Sequence, residues 1–187
     1  MILNDTNIRQ YLKNRLEKSG TLAVKEELRI IHNRAIADIV TLGQILHCYE
    51  IKGEADSLSQ IANQIFHYNL AFDKISVVLT KRNERTVRSE IPDFWGIILA
   101  VPQSDRISFV YIRPAKMNPE KTNRNILLSL WKSELARILK INDEKTIQQT
   151  SKKDLVDMIC NFYKDRKSLN LEFSKQIIQR NSHRTAV

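Results

Sequence analysis

The sequence predicts an α/β fold with additional helices at its C-terminal end. Short β-rich runs such as "AIADIVTL" and "KISVVLT" flank the amphipathic stretch "ADSLSQIANQIFHYNLAF", whose apolar residues recur at helical spacing. From about residue 123 onward, strand-like runs give way to helical periodicity. Because a strand, helix, strand order normally closes as a right-handed unit, the two flanking strands are expected to lie parallel in one sheet.

The first part of the chain divides into elements by the same patterns. The stretch "NDTNIRQYLKNRLEKSG" has apolar residues at helical spacing and a capping residue, Asn4 or Asp5, at its start, so it is predicted to be a helix. Residues 22–31 fit a short helix or an extended segment. The runs "AIADIVTL" and "QILHCYEI" are separated by Gly43 and Gln44, which predicts two strands joined by a hairpin.

The helix after this hairpin is expected to begin at Asp56 or Ser57, because Ser57 and Gln60 are spaced as a capping box. Its apolar face includes Ile61 and Ala62. The strand "KISVVLT" follows, and the basic loop "KRNERTVR" then leads to two further strands in "DFWGIILAV" and "RISFVYIR".

The C-terminal part is predicted to be helical. The stretch "NRNILLSLWKSELARILKI" has a broad apolar face that includes Trp131. Two more helices are expected in "SKKDLVDMICNFYKDR", with Ser151 as its cap, and in "LEFSKQIIQR". The Pro-containing stretch "RPAKMNPEKT" marks the boundary, so we expect a core at residues 1–120 and a basic helical region at residues 121–187 that packs on it.

The composition is that of an ordinary globular protein. Of the 187 residues, 42% are hydrophobic and 27% are charged. No segment approaches the ~20 apolar residues that a membrane helix needs, and the start "MILNDTNIRQ" does not have the layout of a signal peptide. We therefore expect a cytoplasmic protein that does not act at a membrane.

The formal net charge of +9 is concentrated in the C-terminal part of the sequence. Residues 1–112 carry 14 Lys and Arg against 13 Asp and Glu, whereas residues 113–187 carry 16 against 8. A basic region attached to a nearly neutral one is typical of a surface that attracts polyanions, nucleic acid first. A lysine-rich helical surface that is merely solvated accounts for the same composition.

Three charged residues stand at the ends of the two predicted hairpin strands. Glu50 and Lys52 are two positions apart on one strand, so their side chains leave the same face. If the strands pair, Asp38 approaches Glu50, and the two carboxylates with the Ile51 carbonyl form an oxygen-only site suited to Mg²⁺ or Mn²⁺. Lys52 would then orient an attacking water and stabilise negative charge on a phosphate. A simple salt bridge of Glu50 with Lys52 is the alternative explanation.

The longer pattern around these residues resembles a known family. The stretches "NRAIADIV" and "HCYEIKGEADSLSQIANQIFHYNLAFDKISVVL" are similar to the sce7726 family, a group within the PD-(D/E)XK nuclease superfamily. The later stretches "IPDFWGIIL" and "LLSLWKSELARIL" also resemble that family, so the similarity covers roughly residues 26–165. It implies a restriction-endonuclease-like α/β/α core with a mixed central sheet between helices.

The resemblance also implies roles for individual residues. Asp38, Glu50 and Lys52 match the catalytic acid, acid and lysine of the superfamily. The first residue of the signature, usually proline, is Ala37 here, and proline supplies no chemistry. The family's arginine before the strand corresponds to Arg34, a candidate nucleic-acid contact, although two extra residues separate it from that strand.

Further candidates come from the flanking segments. Glu27 matches an early glutamate of the family and is either an additional metal ligand or a surface acid. Gln64 and Tyr68 lie one helical turn apart and are candidate catalytic residues that contact substrate, or else residues that support the fold. Lys81 and Arg82, in the basic loop, are candidate nucleic-acid contacts.

The first functional hypothesis is a Mg²⁺-dependent nuclease that hydrolyses phosphodiester bonds, with DNA as the expected substrate. The second is a module on the same fold that binds nucleic acid or a protein partner with little or no catalysis, because fold does not fix function. The third is a protein-interaction or immunity-type role for the helical tail. A homodimer is a further expectation, since many nucleases of this fold pair to cut both strands.

Overall fold

The computed structural model describes residues 3–54, 56 and 61–182 of the chain. Its strands belong to one sheet and are β1 (Ala23–Ile30), β2 (Ala35–Leu42), β3 (His47–Lys52), β4 (Lys74–Leu79), β5 (Gly96–Pro102) and β6 (Ile107–Arg113). Its α-helices are α1 (Asp5–Glu17), α2 (Ile61–Ala71), α3 (Glu84–Glu90), α4 (Asn123–Leu127), α5 (Lys132–Ile138), α6 (Glu144–Gln149), α7 (Lys152–Phe162) and α8 (Arg166–Ser182).

The sheet is mixed, and its strand order follows the chain order from β1 to β6. Strand β2 is antiparallel to both β1 and β3, the strands β3, β4 and β5 are mutually parallel, and β6 is antiparallel to β5. These pairings confirm the α/β class, the hairpin of β2 and β3, and the parallel arrangement of β3 and β4 around α2.

Helices cover both faces of the sheet. On one face, the stripe Ile8, Leu12 and Leu16 of α1 packs on the sheet in one apolar cluster. On the other face, α2 and the C-terminal helices share a larger cluster that contains Tyr68 and Phe173. Each large apolar side chain buried in this way stabilises the fold by about 1.5–3 kcal/mol.

Several predicted elements need correction. Residues 22–31, which fitted either a helix or a strand, contain strand β1, and the predicted basic loop contains a 3₁₀ turn (Lys81–Asn83) followed by α3. The single helix predicted from residue 123 is wrong: it is interrupted between α4 and α5, because the Glu134 carboxylate accepts the Trp131 N–H at 2.7 Å and starts a new helix there. Two short helices replace it.

The apolar face predicted for the helix after the hairpin is confirmed at Ile61 and is wrong at Ala62. Ala62 is exposed, whereas Tyr68 is fully buried. Helix α2 is described from Ile61 onward, and the predicted capping box of Ser57 and Gln60 lies outside the described residues.

The charged residues of interest lie along the edge of the sheet at which strands β3 and β4 end. The carboxyl ends of β3 and β4 lie side by side there, with Lys52 opposite Leu79. The β1–β2 turn reaches the same edge, because β2 runs antiparallel to β3. Within the described part of the chain, none of the helices has both the length and the apolar character that a membrane-crossing segment requires.

Candidate functional site

Strands β2 and β3 separate at the point where the acidic residues lie. Their ladder ends with Ile39 opposite Tyr49, one position before Asp38 and Glu50 would face each other. Asp38 Oδ2 accepts the Ile51 N–H at 2.8 Å, so the carboxylate replaces a backbone acceptor of β2 for that amide. The separation forms a fork in the sheet, defined by Asp38 on one arm and Glu50 to Lys52 on the other.

Arg9 of α1 reaches into this fork and was not predicted from the sequence. Its Nη2 lies 3.0 Å from Asp38 Oδ1, and its Nη1 donates to the Asp38 carbonyl at 3.3 Å. The same guanidinium binds both carboxylate oxygens of Asp5, one turn earlier on α1. The i, i+4 spacing of Asp5 and Arg9 was visible in the sequence, but its proximity to Asp38 depends on how α1 crosses the sheet.

Glu50 is almost completely buried and is bound from two directions. Lys52 Nζ lies 2.8 Å from Glu50 Oε1, and Gln64 Nε2 donates to the same oxygen at 2.5 Å. Tyr68 Oη lies 2.7 Å from Glu50 Oε2. The strand spacing thus places Lys52 beside Glu50, and one face of α2 supplies both Gln64 and Tyr68.

Two polar groups beside Glu50 leave hydrogen bonds unfulfilled. Tyr68 Oη lies 2.6 Å from the Ile36 carbonyl as well as 2.7 Å from Glu50 Oε2, yet a hydroxyl has one proton to donate. The two acceptors therefore compete for it. Gln64 Oε1 is buried and has no hydrogen-bond partner among the described residues. A buried orphan oxygen next to the Glu50 carboxylate marks a place where a cation or a donor group would be stabilised.

Burial and like charge dominate the electrostatics of the fork. Desolvation, followed by the negative charge of Glu50, raises the pKa of Asp38 from 3.8 to about 7, and the Ile51 N–H and Arg9 only partly oppose this rise. Burial also raises the pKa of Tyr68 far above its ordinary value, so its hydroxyl stays protonated. The fork therefore holds negative charge at a cost to stability.

The donor set fits Mg²⁺ through two carboxylates rather than a larger acidic cluster. No group of three or more His, Cys, Asp or Glu side chains in the described ranges is arranged to hold a metal ion. Mg²⁺ is commonly bound by one or two carboxylates with waters and substrate phosphates completing its shell, and Asp38 and Glu50 are the two carboxylates that would supply such a site here. The unpartnered Gln64 Oε1 is consistent with such a shell.

The other predicted ligands lie close by in different settings. Ile51 is buried between the acids, and its amide is used by Asp38; its carbonyl remains a predicted ligand. Glu27 lies on β1 with a 77% exposed side chain, and its Oε1 is 3.8 Å from Arg9 Nη1. Its φ of 50° is left-handed, which is unusual for a glutamate within a strand and marks local strain beside the fork.

The predicted nucleic-acid contacts lie at the same sheet edge. Arg34 is exposed in the turn before β2. Lys81 and Arg82 are exposed directly after β4, and Lys81 pairs with Glu84 at 2.5 Å. Thr80, between β4 and these cations, has a buried hydroxyl without a partner in the part of the chain described. The structure thus brings the three cations to the edge that contains the fork.

Part of the excess positive charge of the C-terminal region serves the fold. Lys121 is buried and lies 2.9 Å from Asp73 Oδ1, and Arg166 approaches the same oxygen at 3.7 Å. Arg180 binds the buried Glu134. These cations stabilise packed acids and are not available to a polyanion, so fewer of them can contact phosphates than the net charge suggested.

Comparison with known proteins gives a family but no activity. The family model described as bacteriophage P4 protein cII matches residues 4–186. No curated protein matches the chain. Among solved structures, a protein of unknown function from Silicibacter pomeroyi is similar at 18% sequence identity with a TM-score of 0.47, covering 78% of this chain and 92% of that chain.

Proposed function

We propose that this chain, which belongs to the bacteriophage P4 protein cII family, is a divalent-metal-dependent nuclease that hydrolyses phosphodiester bonds, with DNA as the expected substrate. The observation that carries the proposal is the fork itself. Asp38, Glu50 and Lys52 meet where β2 and β3 separate, with both acids largely buried. Burial of two like charges is costly unless a cation or a substrate group compensates it.

Each residue at the fork has a role in this proposal. Asp38 and Glu50 would hold Mg²⁺ or Mn²⁺, which would supply charge neutralisation and water activation when bound. Lys52, whose ammonium already lies 2.8 Å from Glu50, would contact a non-bridging phosphate oxygen and offset its charge. Gln64 and Tyr68 would fix the Glu50 carboxylate, since each contacts a different oxygen of it.

Arg9 is suited to release Asp38 during this chemistry. Its bidentate pair with Asp5 does not involve Asp38, so the guanidinium keeps a partner if Asp38 turns towards a cation. An arginine that can leave one carboxylate without losing its ion pair is able to contact a phosphate instead. Arg9 is therefore added to the candidate phosphate-binding residues.

The sequence supports the same proposal by a separate route. Its similarity to the sce7726 family implies a PD-(D/E)XK nuclease with these three residues at its centre. The exposed cations Arg34, Lys81 and Arg82 at the same edge suit a phosphate backbone. We also propose, from the sequence, that the protein acts in the cytoplasm.

Cleavage of supercoiled plasmid in Mg²⁺ or Mn²⁺ tests the proposal. Wild-type protein should nick the plasmid only when the metal is present, and Asp38→Asn and Lys52→Gln should abolish nicking while keeping the circular dichroism spectrum of the wild type. Asp93→Asn is the matched control, because Asp93 is fully exposed and precedes β5 at the opposite edge. Cleavage that survives in both fork variants would overturn the proposal.

A second candidate function is a nucleic-acid-binding module without catalysis. It is favoured by one observation: all four carboxylate oxygens of Asp38 and Glu50 already have protein donors. This alternative predicts binding of DNA with steep salt dependence and no nicking of supercoiled or single-stranded DNA in either metal. The same plasmid assay, run beside a binding measurement, separates the two functions.

A further inference from the structure

A basic cavity of about 390 Å³ lies beside the fork and is not used by the proposed chemistry. It is bounded by β1, the β1–β2 turn and the segment between α4 and α5. Four of its lining residues are cationic, and they are Lys25, Arg29, Lys152 and Arg180. Trp131 supplies an aromatic ring to the same cavity. This combination of residue types is the one that proteins use to bind nucleic-acid strands.

The cavity is electropositive. Glu27 is the one acid among the described lining residues, against Lys25, Arg29 and Lys152, while the charge of Arg180 is matched by its pair with the buried Glu134. The pKa of His32 is lowered by burial and by the nearby positive charges of Lys152 and Arg34. Burial lowers the pKa of Lys152, and the charge of Arg180 adds to this lowering, while the buried Glu134 opposes it more strongly than Arg180 contributes. An anion entering the cavity would relieve this repulsion between cations.

Trp131 is held in an exposed position rather than exposed by chance. Its backbone N–H donates to Glu134, which also binds Arg180. The Arg180 guanidinium lies over the indole ring, 4.3 Å from the ring centroid. The ring nevertheless remains 54% exposed. The Arg180 guanidinium holds the indole ring by this contact, and the part of the ring that stays exposed can stack on a planar group at little entropic cost.

The cavity and the fork are connected through Glu27. Glu27 lines the cavity, and its Oε1 is 3.8 Å from Arg9, which lies 3.0 Å from Asp38. Two short contacts thus connect the cavity with the fork. Because the cavity is close to the fork and combines cations with an aromatic ring, a nucleotide of the same strand fits it better than an unrelated ligand.

We propose that this cavity binds an unpaired nucleotide of the substrate strand next to the scissile phosphate, with the phosphate on Arg29 and Lys152 and the base against Trp131. This inference rests on the proposed nuclease function and adds a substrate class to it. A base can stack on Trp131 only when it is unstacked from its neighbours, so the cavity selects single-stranded or locally unpaired nucleic acid.

The first test measures binding separately from cleavage. A fluorescein-labelled oligothymidylate is titrated with protein in EDTA over a range of salt concentrations. The double variant Arg29→Gln with Lys152→Gln should raise Kd by about tenfold or more and reduce the slope of log K against log salt by about 1.4, the value for two lost contacts to a single strand. The control, Lys153→Gln with Lys175→Gln, removes the same charge from exposed positions outside the cavity and should leave both quantities close to wild type.

The second test reports on the base. Trp95 is fully buried and Trp131 is exposed, so quenching of tryptophan emission by the oligothymidylate should come from Trp131 and disappear in Trp131→Phe. A duplex of matched length should quench weakly. AMP alone should not displace the oligothymidylate at concentrations near the Kd of the strand.

The outcomes separate the cavity from the nuclease proposal. If the double variant binds as tightly as its control while the wild type cleaves, the cavity proposal fails and the nuclease proposal stands. If the double variant loses affinity but no protein cleaves, the nuclease proposal fails and the cavity still binds a strand. Equal quenching by duplex, or displacement by AMP at such low concentrations, would overturn the assignment to an unpaired nucleotide of a strand. Failure of the wild type to bind any nucleic acid would overturn both proposals.

Discussion

Replacement of Asp38 by asparagine should stabilise the metal-free protein while abolishing its proposed activity. Asparagine has almost the same shape, and its carbonyl oxygen can accept the Ile51 N–H as the carboxylate does at 2.8 Å. The change removes a negative charge that is repelled by Glu50. Arg9 keeps a charged partner, because its bidentate pair with Asp5 remains.

The magnitude follows from the pKa of Asp38, which is raised from 3.8 in an unfolded chain to about 7 in the fold. The unfolded state therefore ionises first as the pH rises, and the folded state loses stability between about pH 4 and pH 7. At 1.36 kcal/mol for each pKa unit, the full penalty above pH 7 is about 4 kcal/mol. At about pH 5 the penalty is ~2 kcal/mol, and below pH 4 it vanishes. Asp38→Asn should recover these amounts less the cost of placing its amide NH₂, a donor, where the carboxylate oxygen accepts from Arg9.

Urea unfolding in EDTA at about pH 8 and pH 5 measures the effect. The free energy of unfolding of Asp38→Asn should exceed that of the wild type at both pH values, and by more at pH 8. Asp93→Asn serves as the control, since Asp93 is fully exposed and should show no comparable gain. A lower free energy of unfolding for Asp38→Asn at pH 8 would refute the reasoning, because it would identify the contact with Arg9 as an ordinary stabilising salt bridge.

Other residues make equally direct predictions. Burial lowers the pKa of His47 from 6.5 to about 3, so the unfolded state takes up a proton first as the pH falls. The free energy of unfolding should therefore decrease below pH 6.5, by ~2 kcal/mol at pH 5. The urea midpoint of His47→Asn should depend less on pH than that of the control His32→Asn, and equal slopes would contradict this. Glu27→Gly should raise the free energy of unfolding by about 1 kcal/mol, because φ at Glu27 is 50° and glycine adopts such a conformation without strain. Glu26→Gly, at a position in ordinary strand pairing, should lower it. A lower free energy of unfolding for Glu27→Gly would disprove the strain. Tyr68→Phe should lower the free energy of unfolding by about 1–3 kcal/mol, since it leaves two buried acceptors without their shared donor; a neutral result in thermal denaturation would rule out that role.

The strands were largely predictable because their apolar runs have a clear period. Strand β1 was the exception, since Lys25, Glu26 and Glu27 interrupt its apolar pattern. This strand lies at the edge of the sheet, where one side has no neighbouring strand and charged side chains are tolerated. Periodicity therefore identifies central strands more readily than edge strands.

The break between α4 and α5 shows a different limit of sequence patterns. Apolar residues continue at helical spacing through Trp131, so the pattern favours one helix. The interruption is set by Glu134, whose carboxylate is buried, binds Arg180 from α8 and caps the Trp131 N–H. Contacts between elements that are 46 residues apart decided the local structure, and no local pattern records them.

At the site, sequence spacing predicted the contact between residues of β3 but did not predict the contact made by Arg9 of α1. Glu50 and Lys52 leave the same face of one strand, so their contact followed from strand geometry alone. Gln64 and Tyr68 were expected either to contact substrate or to support the fold, and the structure places both within hydrogen-bond distance of Glu50. The contact of Arg9 depends on the crossing of a helix over the sheet, which the sequence does not encode locally.

A second buried acid in the same protein shows why the fork differs from a structural ion pair. Asp73 is fully buried, accepts the Leu46 N–H and is approached by two cations, Lys121 and Arg166. A single acid there is matched by more positive than negative charge, as expected for a carboxylate that only stabilises packing.

The charge balance at the fork is the reverse. Apart from the exposed Glu27, the acids Asp5, Asp38 and Glu50 share Arg9 and Lys52 in the contacts described, so three acids that are at least partly buried face two cations. One negative charge remains uncompensated in a largely buried place, and the charge of Glu50 adds to the larger effect of desolvation in raising the pKa of Asp38. A divalent cation between Asp38 and Glu50 would change this net negative charge to a net positive one and would attract a phosphate to Lys52. A cluster that only stabilises packing gains nothing from keeping the third acid. The excess charge therefore favours a site that binds cations over one that merely packs.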